Sequence, residues 1–287
     1  MFAYTEYKCP AKLNLSLSIV GKNNNYHSLQ SVFCKINLYD NLLIKKAHEF
    51  KLVINNNFSV IDPQDNLITQ ILAYFKKNFE IDGNLDIILN KNIPIGAGLG
   101  GGSSDACSFI KALNQIYQLE LSSKQMQQIS LDFGSDIAFF FHDNFSLVEG
   151  RGENIYALKN PPQPLEILLI YPHIHLATPD IFRDFALAIK HNKQKYSTPL
   201  TLDFFTNNDL CEILKLPNDL EKYAITKANI IAEIIHQLNN FSPISAKVSG
   251  SGSSCFAVFN HKPKLQEALQ YFTNKYSNFF IKTVQSL

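Results

Sequence analysis

The stretch that most constrains the fold of this chain is a glycine-rich segment at residues 94–106, Pro-Ile-Gly-Ala-Gly-Leu-Gly-Gly-Gly-Ser-Ser-Asp-Ala, here called the glycine loop. It holds five of the chain's 12 glycines. Glycine adopts positive φ at low cost and lets other groups approach the main chain closely. Successive N–H groups in such a loop form a concavity that binds anions. A plain turn needs only one or two glycines, so the loop predicts a phosphate site.

A helix is predicted directly after the glycine loop. Apolar residues recur at helical spacing from Ala106 to Tyr117, and Ser103 or Ser104 is the predicted N-cap. A helix N-terminus attracts anions through its free N–H groups and its dipole. The loop lacks the Gly-Lys-Ser/Thr ending of a P-loop, and it is not a Gly-x-Gly-x-x-Gly fingerprint of the dinucleotide-binding kind. The phosphate site is therefore predicted to be of another type.

Composition narrows the functional classes. At 287 residues the chain is long enough for one large or two medium domains. A formal net charge of +1 gives no general attraction to nucleic acid or membranes. The five cysteines show no metal-ligand spacing and indicate free thiols in a reducing compartment. With no signal-peptide pattern at the N-terminus, a cytoplasmic protein is predicted.

Residues 10–21 predict a β-strand with strict alternation. One face is apolar, and the other carries Lys12, Asn14, Ser16 and Ser18. A polar face of this kind commonly faces solvent. Alternatively Lys12 and Asn14, which are neighbours on that face, meet one ligand.

Asp136 stands directly before the apolar run 137–141. It is either a helix cap or turn residue, or a carboxylate at the edge of a packed core, where general bases are placed. Prolines at 161, 162 and 164 accompany a shift in composition and predict a domain boundary near residue 160, with domains at 1–160 and 161–287.

Four local predictions concern helices and loops. A helix over 65–79 is predicted with Asp65 as its cap, and Thr178 is the predicted cap of a helix that continues with Pro179. One continuous helix is predicted over about 221–238. Residues 190–208 are predicted to form irregular surface loops.

Three segments together resemble the three motifs of the GHMP small-molecule kinases. They are residues 10–15 (Pro-Ala-Lys-Leu-Asn-Leu), the glycine loop, and residues 248–253 (Val-Ser-Gly-Ser-Gly-Ser). The first motif runs on through Tyr26-His27, Leu29 and Phe33. That extension resembles the branch that phosphorylates a cytidine-diphosphate-linked methylerythritol in the non-mevalonate isoprenoid pathway. Segments 134–137, 150–153 and 217–221 resemble the same branch, so the resemblance covers the whole chain.

The resemblance implies a two-domain α/β (α+β) fold. The N-terminal, ATP-binding domain would be ribosomal-protein-S5-domain-2-like, and the C-terminal domain a ferredoxin-like α/β sandwich, with the active site in the cleft between them. The implied reaction transfers a phosphoryl group from ATP to the 2-hydroxyl of the substrate, giving ADP. Alternatives are another kinase of the family, of the homoserine or mevalonate type, or a non-catalytic nucleotide-binding regulator.

The resemblance also implies roles for individual residues. Lys12 and Asp136 would be the catalytic pair, with Lys12 acting either on the carboxylate or on the phosphoryl group. Substrate would be bound by Asn14, Tyr26, His27, Phe33 and Phe182. ATP would be bound, as its Mg²⁺ complex, by Pro94, Ile95, Gly96, Ala97, Gly98, Leu99, Gly100, Gly101, Gly102, Ser103 and Ser104. Direct metal ligands stay unassigned, and a monomer or weak homodimer is expected.

Overall fold

The computed structural model describes residues 3–23, 26–56, 66–159 and 163–287. The predicted cap Asp65 and the predicted boundary near residue 160 lie outside these ranges. The strands are β1 (Thr5–Asn23), β2 (Tyr26–Lys46), β3 (Lys51–Asn56), β4 (Leu85–Lys91), β5 (Phe145–Gly150), β6 (Asn154–Ala157), β7 (Glu166–Tyr171), β8 (Ser245–Val248), β9 (Cys255–Phe259) and β10 (Phe280–Gln285). The helices are α1 (Leu67–Phe79), α2 (Gly101–Tyr117), α3 (Ser123–Ser130), α4 (Thr178–Lys190), α5 (Leu202–Asn207), α6 (Leu210–Lys215), α7 (Glu221–Lys227), α8 (Asn229–Asn239) and α9 (Lys262–Lys275).

The chain divides into two compact units. The first unit comprises residues 1–11, 38–95 and 100–142, and the second comprises 12–37, 96–99 and 143–287. Each unit is therefore discontinuous in sequence. Strands β1 and β2, which pair with each other, contribute residues to both units.

In the first unit, helices α1 and α2 supply much of the buried apolar surface. Residues 41–46 of β2 pair antiparallel with β4, and β4 pairs parallel with β3. Helix α1 begins after Asn66, whose side chain accepts the N–H groups of Ile68 and Thr69. Its stripe of Ile68, Ile71, Leu72 and Phe75 is buried, as its helical periodicity predicts. Burying each of these side chains stabilises the fold by about 1.5–3 kcal/mol.

In the second unit, the strand order of the antiparallel sheet is β10-β7-β9-β8. Leu168 and Ile170 of β7 point into an apolar cluster with Cys255 and Ala257 of β9. Residues 29–34 of β2 pair with β5, which in turn pairs with β6. This arrangement fixes the N-terminal half of β2 in the second unit.

Three of the local predictions are wrong in detail. The continuous helix over 221–238 is broken at Ala228, whose φ of −146° and ψ of 96° are extended and which no glycine or proline signals. Residues 190–208 contain α5, because six residues give too little periodicity to be recognised. Thr178 is the first residue of α4, and the cap is Ala177.

Within the described residues, no helix combines the length and the apolar character that crossing a bilayer requires.

Candidate active site

The polar face of β1 is buried. Lys12 is 4% exposed and Asn14 2% exposed. The Lys12 ammonium donates to Asn14 Oδ1 at 2.7 Å and lies 4.5 Å from the centre of the Phe33 ring. A buried ammonium is costly unless it is hydrogen bonded or placed over an aromatic face, and both conditions hold. Of the two interpretations of this face, solvent exposure is therefore wrong.

Asn14 is fixed by three hydrogen bonds. Its N–H donates to Ser249 Oγ at 3.2 Å, and its Nδ2 donates to Ser31 Oγ at 3.0 Å. Its Oδ1 accepts from Lys12. The amide is thereby fixed in one orientation, and it fixes the direction of the Lys12 ammonium.

The glycine loop has an alternating backbone. Gly96, Gly98 and Gly100 have φ of 68°, 78° and 69°, whereas Ala97 and Leu99 between them have negative φ. Alternation of left- and right-handed residues turns successive N–H groups towards one concave side, which binds anions. The predicted phosphate cradle therefore has the backbone that such a site requires.

Gly100, rather than Ser103 or Ser104, is the N-cap of α2, so that prediction is wrong. Its left-handed backbone lets its carbonyl accept the Ser104 N–H at 2.9 Å. Glycine has no side chain to satisfy the free N–H groups of the first turn. The N-terminus of α2 thus keeps the donors that a phosphate would accept.

Within the second unit, all three motifs meet. The Lys12 N–H donates to Leu99 O at 2.9 Å, and Ser249 Oγ donates to Gly98 O at 3.3 Å. A Cβ on Gly98 would lie 2.7 Å from Ser249 O and 2.9 Å from Gly252 O. Residues 96–99 are therefore packed directly between β1 and the loop 248–254, here called the third loop.

Asp136 lies in the first turn of a 3-10 helix, Ser135–Phe141, in the first unit. The carboxylate-bearing residue is half-buried, and the next three residues, Ile137, Ala138 and Phe139, are fully buried. Asp136 therefore stands at the edge of a packed core, as its sequence context predicts. Lys12 belongs to the second unit, and the pairing of the two residues stays a prediction.

His27 and Phe182 are close in the second unit. Their rings are stacked with centroids 5.9 Å apart and planes at 26°, and Phe185 meets the imidazole edge-on at 5.5 Å. Burial lowers the pKa of His27, and the nearby Lys22 lowers it further. At neutral pH the imidazole is therefore neutral, with one nitrogen a donor and the other an acceptor.

Tyr26 and Phe33 have different surroundings from that stack. Tyr26 is 53% exposed, and the Arg151 guanidinium lies 3.6 Å from the centre of its ring. Phe33 is buried beneath Lys12.

A buried ion cluster in the first unit includes Asp105, which lies near the start of α2. The Lys91 ammonium contacts Asp40 Oδ2 and lies 2.5 Å from Asp105 Oδ2. Asp40 Oδ1 also accepts the N–H groups of Asn92 and Ile93. Burial raises the pKa of Asp105 to about 7, with the Asp40 charge adding to the effect and Lys91 opposing it.

Across the described residues, no group of three or more His, Cys, Asp or Glu side chains is placed to bind a metal ion.

Three contact residues escaped the sequence analysis. Ser249, Ser31 and Arg151 each touch a predicted site residue. Ser249 belongs to a recognised motif, and Arg151 is one of only two arginines in the chain. The position of Ser31 on β2 carries no local signal, because its role depends on which strand lies beside it.

Comparison with known proteins agrees with this geometry. The family models described as "GHMP kinases N terminal domain" and "GHMP kinases C terminal" match residues 66–144 and 205–278. The 4-diphosphocytidyl-2-C-methyl-D-erythritol kinase of Thermodesulfovibrio yellowstonii is 32% identical over 98% of this chain and 97% of its own length. The chain belongs to the 4-diphosphocytidyl-2-C-methyl-D-erythritol kinase family of GHMP kinases. The enzyme of that name from Clostridium beijerinckii is 31% identical over 96% of this chain and 98% of its own length.

Solved structures share the fold of this chain. A crystal structure of 4-(cytidine 5'-diphospho)-2C-methyl-D-erythritol kinase matches with a TM-score of 0.79 and 25% identity, covering 98% of this chain and 99% of the other. A homoserine kinase from Cytophaga hutchinsonii matches with a TM-score of 0.71 and 17% identity, covering 99% and 94%, which shows the fold alone. The predicted mixed α/β fold class is confirmed. GHMP kinases use ATP as phosphate donor, so the chain belongs to a family of ATP-dependent small-molecule kinases.

Proposed function

We propose that this chain transfers the γ-phosphoryl group of ATP to the 2-hydroxyl of 4-diphosphocytidyl-2-C-methyl-D-erythritol, releasing ADP and the 2-phosphate. The observation that carries the proposal is the meeting of β1, residues 96–99 and the third loop around the buried pair Lys12 and Asn14. Relatives at 31% and 32% identity over nearly the whole chain carry the name of this kinase.

ATP would bind at residues 94–104 of the glycine loop. The alternating backbone of Gly96, Gly98 and Gly100 and the open N-terminus of α2 support this placement. Mg²⁺ would arrive as part of the nucleotide complex and offset the charge that develops on the phosphates. Main-chain N–H groups would bind the phosphate oxygens that arginine side chains bind in many other proteins, since this chain has only two arginines.

In the proposed reaction, the acceptor oxygen forms a bond to the γ-phosphorus while the bond to the β–γ bridging oxygen breaks. Asp136 accepts the proton of the acceptor hydroxyl. That hydroxyl is a tertiary alcohol and a poor nucleophile, so a carboxylate that takes its proton in the transition state lowers the barrier. Lys12 either keeps the carboxylate ionised or offsets charge on the transferring group. Its direction, set by Asn14, supports a positioned positive charge.

The cytidine end of the substrate would be bound by Tyr26, His27 and Phe182. Support comes from the stacking of His27 with Phe182 and from the lowered pKa of His27, which leaves a neutral donor–acceptor edge. Aromatic faces give stacking energy, and such an edge distinguishes one base from another. Phe33 would contribute by packing its ring face against the Lys12 ammonium.

The remaining parts of the proposal concern the setting of the enzyme. We place it in the cytoplasm, with a small-molecule substrate, no nucleic-acid partner, and a monomeric or weakly dimeric state. Five free thiols support a reducing compartment. Sedimentation at several protein concentrations measures the oligomeric state directly.

The proposed reaction can be tested by incubating the purified protein with ATP, Mg²⁺ and the cytidylyl substrate and analysing the products. We expect stoichiometric ADP and a product whose new phosphorus signal and mass correspond to the 2-phosphate. Lys12→Met should abolish the product, whereas Lys124→Met, at an exposed position of α3, should not. Absence of the phosphorylated product with the wild-type protein would overturn the proposal.

A further inference from the structure

The segment Pro217-Asn218-Asp219-Leu220-Glu221 has no role in the proposed reaction, although it is built tightly into the second unit. Asn218 is 7% exposed. Its Nδ2 donates to Val248 O at 3.0 Å and to Gly250 O at 2.7 Å, and its Oδ1 accepts the Leu220 N–H at 3.0 Å. One buried amide thus holds two carbonyl groups of the third loop and uses its own acceptor as well.

The same segment is fastened to β1. Leu17 donates its N–H to Pro217 O at 3.0 Å, and Asp219 returns its N–H to Leu17 O at 2.8 Å. The Asp219 carboxylate accepts the Ile19 N–H at 2.7 Å. Asn218 is therefore fixed relative to the strand that carries Lys12 and Asn14.

Gly250, the residue that Asn218 holds most closely, stands against that pair. Its φ is 61°, and a Cβ built on it would lie 3.1 Å from Asn14 Oδ1 and 4.0 Å from Lys12 Nζ. Asn14 Oδ1 is the atom that accepts the Lys12 ammonium. The main chain at Gly250 therefore packs closely against the two side chains that form the Lys12–Asn14 hydrogen bond.

We propose that Asn218 is a positioning residue for phosphoryl transfer, acting through Gly250 on Asn14 and Lys12. Two buried carbonyl groups that lose their shared donor are left at a cost in free energy, which a shift of the third loop towards new partners would relieve. Gly250 would move with it, and the Lys12 ammonium would lose its fixed direction. The inference rests on the proposed function, since the transfer step is the one that needs this direction.

Loss of the amide should lower kcat more than it changes KM. Misplacement of a reacting group by about 1 Å costs on the order of 100-fold in rate. For Asn218→Ala we expect kcat to fall at least about 10-fold, with KM for the cytidylyl substrate changing less than about 2-fold. Asn239→Ala is the matched control, because Asn239 also donates to one backbone carbonyl, Ile235 O, at an exposed position.

A double-mutant cycle separates positioning from general stability. If Asn218 acts through Asn14, the loss in kcat for the pair Asn218→Ala and Asn14→Ala should be no larger than the greater single loss. If the two losses multiply, Asn218 acts elsewhere and the inference is wrong. Asn218→Ser serves in place of Asn218→Ala if the latter does not fold, since a hydroxyl keeps one donor.

Hydrogen exchange tests the same contact without turnover. In Asn218→Ala, we expect faster exchange in residues 247–252 and also in residues 12–16, and no change in Asn239→Ala. Faster exchange confined to residues 247–252 would overturn the inference, whatever substrate the enzyme uses. An inactive wild-type protein that shows the expected exchange would overturn the proposed function and leave the contact between Asn218 and the Lys12 strand established.

Discussion

At the scale of single residues, the alternating pattern of β1 predicts which side chains share a face but not whether that face is buried. Alternation predicts that Lys12 and Asn14 share a face, and they do. It does not predict that this face is buried, because the covering groups, Ser31 and Ser249, come from distant parts of the chain. Long-range neighbours of this kind leave no local signal in the sequence.

Asp136 carries the proton-accepting role in the proposed reaction. Asp136→Asn keeps the shape of the side chain but cannot accept the proton. We expect kcat to fall by about 10²- to 10⁴-fold with little change in KM for ATP. Asp132→Asn, at an exposed position close in sequence, is the control and should keep wild-type rates. A fully active Asp136→Asn enzyme would show that another group takes the proton.

Asp105 makes stability depend on pH. In the unfolded chain this carboxyl titrates near its ordinary value of 3.8, whereas in the folded chain it keeps its proton to about pH 7. Between those values the folded state binds more protons, so the contribution of Asp105 to the free energy of unfolding falls as pH rises. Lys91, Asp40 and Cys9 are the groups that face it.

Asp105→Asn removes this titration while keeping an acceptor for Lys91. Relative to the wild type, the variant should therefore gain stability between pH 4 and pH 7, by at most about 1.4 kcal/mol per pH unit. Urea unfolding across that range measures the difference. A difference that stays constant with pH would contradict the raised pKa.

At the scale of elements, the general character of the glycine loop was predictable, but the predicted N-cap of the helix that follows it is wrong. The number of glycines predicts a phosphate cradle, and the alternating φ values have the required form. The cap of α2 lies at Gly100 instead of Ser103 or Ser104, because a left-handed glycine closes the first turn without a side chain. The break at Ala228 could not be predicted, since no residue there disfavours a continuous helix.

Gly98 is a position in the loop where the neighbouring main chain leaves no room for a side chain. A methyl group there would meet two backbone oxygens within 3 Å, and φ is 78°. Gly98→Ala should lower the melting temperature clearly, as expected for overpacking that costs about 1–3 kcal/mol. Gly102→Ala, where a Cβ meets nothing within 4 Å, should leave the melting temperature unchanged or slightly raised. Equal melting temperatures for the two variants would contradict the packing described for Gly98.

The start of β2 is expected to set the affinity for cytidine. Tyr26→Ala removes a stacking surface worth about 1–3 kcal/mol, so KM for the cytidylyl substrate should rise about 5- to 150-fold. KM for ATP should not change. Tyr156→Ala, at another exposed tyrosine on β6, is the control. An unchanged KM in Tyr26→Ala would remove Tyr26 from the substrate site.

At the scale of the whole molecule, the fold does not select the substrate. Homoserine kinase and mevalonate kinase structures both match this chain with a TM-score of 0.71, at 17% and 15% identity. Folds are shared among enzymes with different substrates, and specificity lies in particular side chains. The side chains proposed for that role here are Tyr26, His27 and Phe182, which the family resemblance implies and no general property of the fold requires.

The most direct measurement of the central claim is a competition assay. The purified enzyme receives ATP, Mg²⁺ and equal concentrations of the cytidylyl substrate, homoserine and mevalonate, and the phosphorylated products are separated by mass. The cytidylyl 2-phosphate should be the dominant product and should account for the ADP formed. Phosphohomoserine or phosphomevalonate as the main product would contradict the assignment of Tyr26, His27 and Phe182 to a cytidine site.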